Sequence, residues 1–170
     1  MIKSVPKPAA AHRALHLAYI GLGANLGEAE ATVRQAAHEL SSIPGVQACR
    51  LSPLYRTRPV DAGGPDYVNG VVELGTSLSA ALLWRAMQAI EQTHGRERPY
   101  RNAPRTLDLD LLWFDDATID TPELTVPHPR LVQRAFVLQP LADLAPQLRV
   151  GGAAVSDLLQ QVDPSGLRSI

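Results

Sequence analysis

Lysine is nearly absent from this chain. Of its 16 basic residues only Lys3 and Lys7 are lysines, and the rest are arginines. A phosphate-binding loop of the Walker type, a protein-kinase site or a Schiff base each needs a lysine, and none follows residue 7. Cysteine is scarcer still. Cys49 stands alone, which excludes an internal disulfide framework and any multi-cysteine zinc site and fits a reducing compartment such as the cytoplasm. Aromatic residues make up 5% and the net charge is −1, neither of which suits a domain that holds nucleic acid by bulk electrostatics and base stacking. No run approaches the ~18 apolar residues that would span a bilayer. No GxSxG marks a nucleophile elbow, and His94 and His128 lack an HExxH context.

What remains is an ordinary globular composition. Hydrophobic residues are 45% of 170 and charged residues 19%, enough for one domain with a sizeable core. Residues 1–16 read as a disordered extension: His12, Arg13 and His16 interrupt an alanine-rich stretch that would otherwise resemble a signal peptide. Residues 17–170 read as a single domain.

Apolar residues Leu17–Leu22 predict a strand stopping at a glycine-rich turn, Gly21 to Gly27. Ala29, Val33, Ala36 and Leu40 recur at helical spacing and predict a helix over 28–42, ended by Pro44-Gly45. Residues 46–57 are extended, with Pro53 implying a bulge or an edge. From Tyr67 to Leu74 the period is two: Val68, Val72 and Leu74 face one way, Tyr67, Asn69 and Glu73 the other. Ser79 caps a second helix with stripe Leu83, Met87 and Ile90, ended by Gly95. A strand from Leu107 to Trp113 puts Leu107, Leu109 and Leu111 opposite Asp108 and Asp110. Short helices cover 130–142 and 153–162. Strand, helix, strand, strand, helix, strand is the ferredoxin-like α+β order, βαββαβ, with an antiparallel sheet, helices on one face and an extra C-terminal hairpin and short helices. On the helix-free face Tyr67, Asn69, Asp108 and Asp110 would stand together.

Three features bear on chemistry. The glycine run is spaced GxGxxxG with no acid near position 43, so it fails the dinucleotide fingerprint and reads as a turn or a support for a ligand. Asp108 and Asp110, at i and i+2 on one strand, project side by side and can share hard cations such as magnesium, completed by substrate phosphates. A solvated strand face is the bland alternative, but the flanking leucines require a buried strand. Arg96, Arg98, Arg101 and Arg105 fall within ten residues of one another, suited to clamping a polyphosphate; Arg134 and His128 could join them. Exposed arginines in a loop are common, and it is the combination with the carboxylate pair that points to phosphoryl transfer.

The segment Arg101-Asn102-Ala103-Pro104-Arg105-Thr106-Leu107-Asp108-Leu109-Asp110-Leu111-Leu112 resembles the signature of the 6-hydroxymethyl-7,8-dihydropterin pyrophosphokinases. So do Tyr19 to Leu26, Tyr55-Arg56-Thr57, Pro65 to Asn69, Gly95 to Arg98, Thr125 to His128 and Arg134-Ala135-Phe136, in order over about residues 18–146. The resemblance implies an ATP-dependent diphosphotransferase of folate biosynthesis, passing pyrophosphate to the pterin hydroxymethyl group and releasing AMP. It implies two Mg2+ ions on Asp108 and Asp110, with Arg96 and Arg98 assisting the chemical step. ATP would be met by Gln88, Glu91, Arg98, Arg101, Arg105, Leu111, Thr125, His128 and Arg134. The pterin would be met by Thr57, Val60, Tyr67, Asn69, Asp108 and Phe136. Segments 23–27, 58–66 and 95–104 would be the family's mobile loops. The expected partners are these two small molecules, without nucleic acid or membrane, in a monomeric cytoplasmic enzyme. A nucleic-acid-binding ferredoxin-like module and an inactive pterin- or nucleotide-sensing relative are the alternatives.

Overall fold

A computed structural model of the chain describes residues 14–59, 63–95 and 106–170. The elements run β1 (His16–Ala24), α1 (Ala29–Ser41), β2 (Val46–Leu51), β3 (Tyr55–Thr57), β4 (Tyr67–Thr76), α2 (Ala80–Thr93) and β5 (Asp108–Phe114). A hairpin, β6 (Ile119–Asp120) and β7 (Thr125–Val126), follows, then a 3-10 turn at Leu131–Gln133, α3 (Ala135–Leu144), a second hairpin, β8 (Arg149–Val150) and β9 (Ala153–Ala154), α4 (Val155–Gln160) and β10 (Leu167–Ser169). The main sheet is ordered β10-β3-β4-β1-β5, with β2 also paired to β4, and all its ladders are antiparallel. Merging β2 with β3 restores the βαββαβ order expected from the pattern. The interruption between them falls at Pro53, where Ser52 replaces ladder bonds: its N–H donates to the Val71 carbonyl and its Oγ accepts from the Val71 N–H, both at 2.9 Å.

The first helix buries Ala29, Val33, Ala36, Ala37 and Leu40, and Ser79 caps the second by accepting from the Leu82 N–H. Both lie on one sheet face, where Ile20, Leu22, Val68, Val72, Leu74, Leu109 and Leu111 meet Val33, Leu40, Leu83 and Met87. Removing so much apolar surface from water is the main force holding this layer.

The other face is not free of helices. Tyr19, Val71, Leu112 and Trp113 form a second core with Leu131, Val137, Leu138, Leu141 and Val155, contributed by the 3-10 turn, α3 and α4. A bulge in β5 builds it. Tyr19 pairs with Trp113 but Ile20 with Leu111, leaving Leu112 as the extra residue. Leu112 and Trp113 therefore both point to the second face, while Phe114 returns to the first.

Two boundaries differ from the sequence expectation. β1 runs through Gly21 and Gly23 to Ala24, so the turn begins only at Asn25, and the proposed loop 23–27 is shortened at its start. His16, assigned to the N-terminal extension, opens β1 and is held there by Asp115, with its Nδ1 2.5 Å from the carboxylate. Residues 1–13 of that extension lie outside the described residues, and Ala14 and Leu15 are exposed. The C-terminal strand β10 was not foreseen. It pairs with β3 in the register Leu167 to Thr57, Arg168 to Arg56 and Ser169 to Tyr55.

The Tyr55 hydroxyl donates to Asp143 and so ties β3 to α3. Burial, and then Asp143, pushes the Tyr55 phenol up to about 12. The folded state thus keeps this proton where the unfolded chain, titrating near 10, loses it. The contribution is complete below pH 10 and is lost as pH rises towards 12. Tyr55→Phe should flatten that alkaline limb in denaturant melts run between pH 9 and 12, and an unchanged limb would refute the contact.

Candidate active site

Beyond the roof formed by α3 and α4, the second face continues as a polar surface built row by row across the strands. Gly23 stands opposite Asn69 on one side and Asp108 on the other, and Gly21 stands opposite Val71 and Asp110. Directly paired residues share a face, so the two glycines open a window between the Asn69 amide and the carboxylate pair. Strand spacing puts those groups about 10 Å apart, the span of a small flat heterocycle. A Cβ on Gly23 would meet Asn69 Oδ1 at 2.9 Å, while one on Gly21 would meet Leu112 at an ordinary 3.5 Å. Gly23→Ala should therefore cost about 1–3 kcal/mol in chemical denaturation, and Gly21→Ala far less. Equal losses would contradict the geometry.

On the left of this window Asn69 is 7% exposed, and its Nδ2 donates to Thr57 Oγ1 at 3.0 Å. The bond fixes the amide orientation. Tyr67 pairs with Thr57 at the start of β4 and is half-buried.

On the right, Asp108 and Asp110 share one face of β5, both half-buried. The segment after β7 crosses the sheet edge: the His128 N–H donates to the Leu112 carbonyl at 2.9 Å. Its ring Nδ1 accepts the Arg130 N–H at 3.2 Å, which turns Nε2 towards Asp110 Oδ1, 3.9 Å away. Burial pulls the His128 pKa below its ordinary value, Arg134 and Arg130 pull the same way, and Asp110 and Asp108 oppose them. The ring is thus a neutral donor at Nε2 near pH 7. Arg134 lies in the field of both carboxylates, and burial lowers its pKa while Asp110 and Asp108 support its charge. Its guanidinium also sits over the Phe136 ring, 5.5 Å from the centroid. The 3-10 turn and the first turn of α3 deliver this pair together.

On the other side of β5, α2 packs against the strand and carries half-buried Gln88 and, one turn later, buried Glu91. Thr125 is exposed on β7, which also touches β5. Leu111, expected on the ATP side, is 3% exposed and packs in the helix-side core, turned away from the carboxylates. Strand alternation forces this, so any part it plays must go through its backbone. Val60, Arg96, Arg98, Arg101 and Arg105 lie outside the described residues, as does most of the proposed loop 95–104. Gly95 itself has φ +73, which suits the end of α2. Sequence reasoning missed the window glycines, because their pairing with Asp108 and Asp110 is set by a register between segments distant in sequence.

Two carboxylates suit magnesium, which takes one or two from protein and completes its shell with water and phosphate. Among the described residues no group of three or more His, Cys, Asp or Glu forms a cage that would hold a metal unaided. The donor set fits an ion that arrives with a polyphosphate. Among the described residues no helix is long and apolar enough to cross a membrane.

A family model described as 7,8-dihydro-6-hydroxymethylpterin-pyrophosphokinase matches residues 19–146. A protein of Synechocystis sp. named 2-amino-4-hydroxy-6-hydroxymethyldihydropteridine pyrophosphokinase is 41% identical over 150 residues, covering 87% of this chain and 77% of its own length. Its Pseudomonas aeruginosa namesake is 42% identical over 154 residues, 89% of this chain and 95% of that one. Among solved structures, a Plasmodium falciparum HPPK-DHPS chain superposes with a TM-score of 0.69 at 14% identity, over 89% of this chain and 46% of the longer one. That last likeness speaks to the fold alone.

Proposed function

The chain belongs to the 7,8-dihydro-6-hydroxymethylpterin pyrophosphokinase family, and on that premise we propose how its residues divide the work. The enzyme transfers pyrophosphate from ATP to the hydroxymethyl group of 6-hydroxymethyl-7,8-dihydropterin in folate biosynthesis. The pterin oxygen bonds to the β-phosphorus and gives up its proton, the bond from that phosphorus to the α-phosphate oxygen breaks, and AMP leaves, the proton passing to solvent.

The observation that carries the assignment of parts is the row Asn69–Gly23–Asp108, with Asp110, His128 and Arg134 at its right-hand end. The pterin lies across the glycine window. Asn69, oriented by Thr57, reads its donor and acceptor edge, and Tyr67 and Phe136 supply aromatic walls. The peptide at Val60 is a further pterin contact by family resemblance. Asp108 and Asp110 would hold two magnesium ions, which when bound neutralise the phosphates and favour in-line displacement. Neutral His128 donates from Nε2 to a phosphate oxygen, and Arg134 adds fixed positive charge beside Phe136. Arg96, Arg98, Arg101 and Arg105 complete the phosphate clamp, and Gln88, Glu91, Thr125 and the Leu111 backbone hold the nucleoside.

The nucleic-acid alternative loses its platform. The face on which bases would stack is half-covered by α3 and α4 and carries two aspartates. Mixing the protein with ATP, magnesium and hydroxymethyldihydropterin should yield AMP and pterin diphosphate in equal amounts. ADP as the product would refute the proposed reaction.

A further inference from the structure

The C-terminal strand bears none of the residues assigned to substrate, yet it is fastened to the segment that carries the pterin wall. β10 closes the edge of β3, a strand of three residues that bears Thr57. Leu167, Thr57 and Tyr67 form one row across β10, β3 and β4, and the Ile170 N–H adds a bond to the Leu54 carbonyl at 3.0 Å. Arg168 pairs with Arg56, like charge against like, which would weaken the ladder unless each found an acid. Each does. Arg56 lies 3.8 Å from Glu30 of α1, and Arg168 lies 2.5 Å from Asp66.

Asp66 immediately precedes Tyr67 and follows the turn at Gly64, whose φ is +121. By strand alternation Asp66 and Arg168 belong to the helix side of the sheet, whereas Thr57 and Asn69 face the window. We propose that Arg168 is a positioning residue for the pterin half-site, acting through Asp66 to set where Tyr67 enters β4. It touches no substrate. Its effect passes through one peptide, from the Asp66 carboxylate to the Tyr67 backbone, and the β10–β3 ladder fixes the frame against which that peptide is held. The inference rests on the reading of Tyr67 as a pterin wall.

The test is a double-mutant cycle on the full chain, with KM for pterin, KM for ATP and kcat measured separately. Arg168→Ala and Asp66→Ala should each raise the pterin KM about fivefold, within reach of a well-placed ion pair, and leave the ATP KM within about twofold. The double variant should be no worse than either single change, because one contact is lost in all three. Arg168→Lys should keep most of the pterin affinity. Additive losses, an unchanged pterin KM, or equal rises in both KM values would overturn the proposal, the last because general loosening of the fold would produce it. Tyr67→Ala in the same assay separates the two levels. If it raises the pterin KM while Arg168→Ala does not, only this inference fails. If Tyr67→Ala itself leaves the pterin KM unchanged, the wall reading fails and takes the inference with it.

Discussion

Asp110→Ala should lower kcat/KM by at least about a thousandfold, close to 4 kcal/mol of transition-state stabilisation, while the protein stays folded. Asp110 is one of only two carboxylates on this face of β5. It also stands 3.9 Å from His128 and in the field of Arg134. Losing it would remove half of the proposed metal-binding set and the stronger of the two anions that support the arginine's charge. Stability should move by less than about 1 kcal/mol, since relief of repulsion with Asp108 and loss of attraction to Arg134 act in opposite directions across a half-exposed site. Steady-state kinetics with a magnesium titration, beside a thermal melt, would decide it. A variant with parental turnover would remove Asp110 from the chemistry, and one that unfolds would make it a structural residue.

Asn69→Ala should produce the second largest effect, confined to the pterin. The amide is buried, and its bond to Thr57 leaves the Oδ1 end facing the glycine window. A pocket built to hydrogen-bond a heterocycle discriminates strongly when that partner is removed. We expect kcat/KM for the pterin to fall about a hundredfold, or about 2.7 kcal/mol, with the ATP KM unchanged. The Thr57 hydroxyl would be left without this donor, so a stability loss of about 1 kcal/mol should accompany it. Equal losses towards both substrates would contradict the assignment of the left side of the window to the pterin.

Much of this arrangement was legible because period-two alternation is a local property. Val68, Val72 and Leu74 against Asn69, and Leu109 and Leu111 against Asp108 and Asp110, follow from side-chain geometry alone. So does Ser79, whose cap depends on residues three positions away. What was hidden depends on partners distant in sequence. Gly21 and Gly23 carry turn chemistry, yet they lie inside a strand because β4 and β5 pair with it on either side, and at Gly23 the Asn69 side chain needs the space. Leu112 becomes a bulge only through the register with Tyr19 and Ile20, and nothing in its neighbours announces that.

The second core was missed for a related reason. Val137, Leu138 and Leu141 reveal that α3 has an apolar side, but not which sheet face receives it. Packing α3 and α4 on the far face brought Arg134, stacked over Phe136, into the field of Asp110, so the elements that cover this face also assemble one end of the site. β10, with three residues, is too short for any periodic signal. The family resemblance assigned Leu111 to the ATP side, and its buried side chain leaves the backbone as the part that could serve there.

The central claim is that Asp108 and Asp110 grip the metal ions that accompany the triphosphate. A crystal structure with magnesium, a non-hydrolysable ATP analogue and the pterin tests it directly. Ions are expected about 2.1 Å from carboxylate oxygens of both aspartates, with the phosphate chain passing between them and Arg134. A fully ordered triphosphate with neither carboxylate within coordinating distance would contradict it.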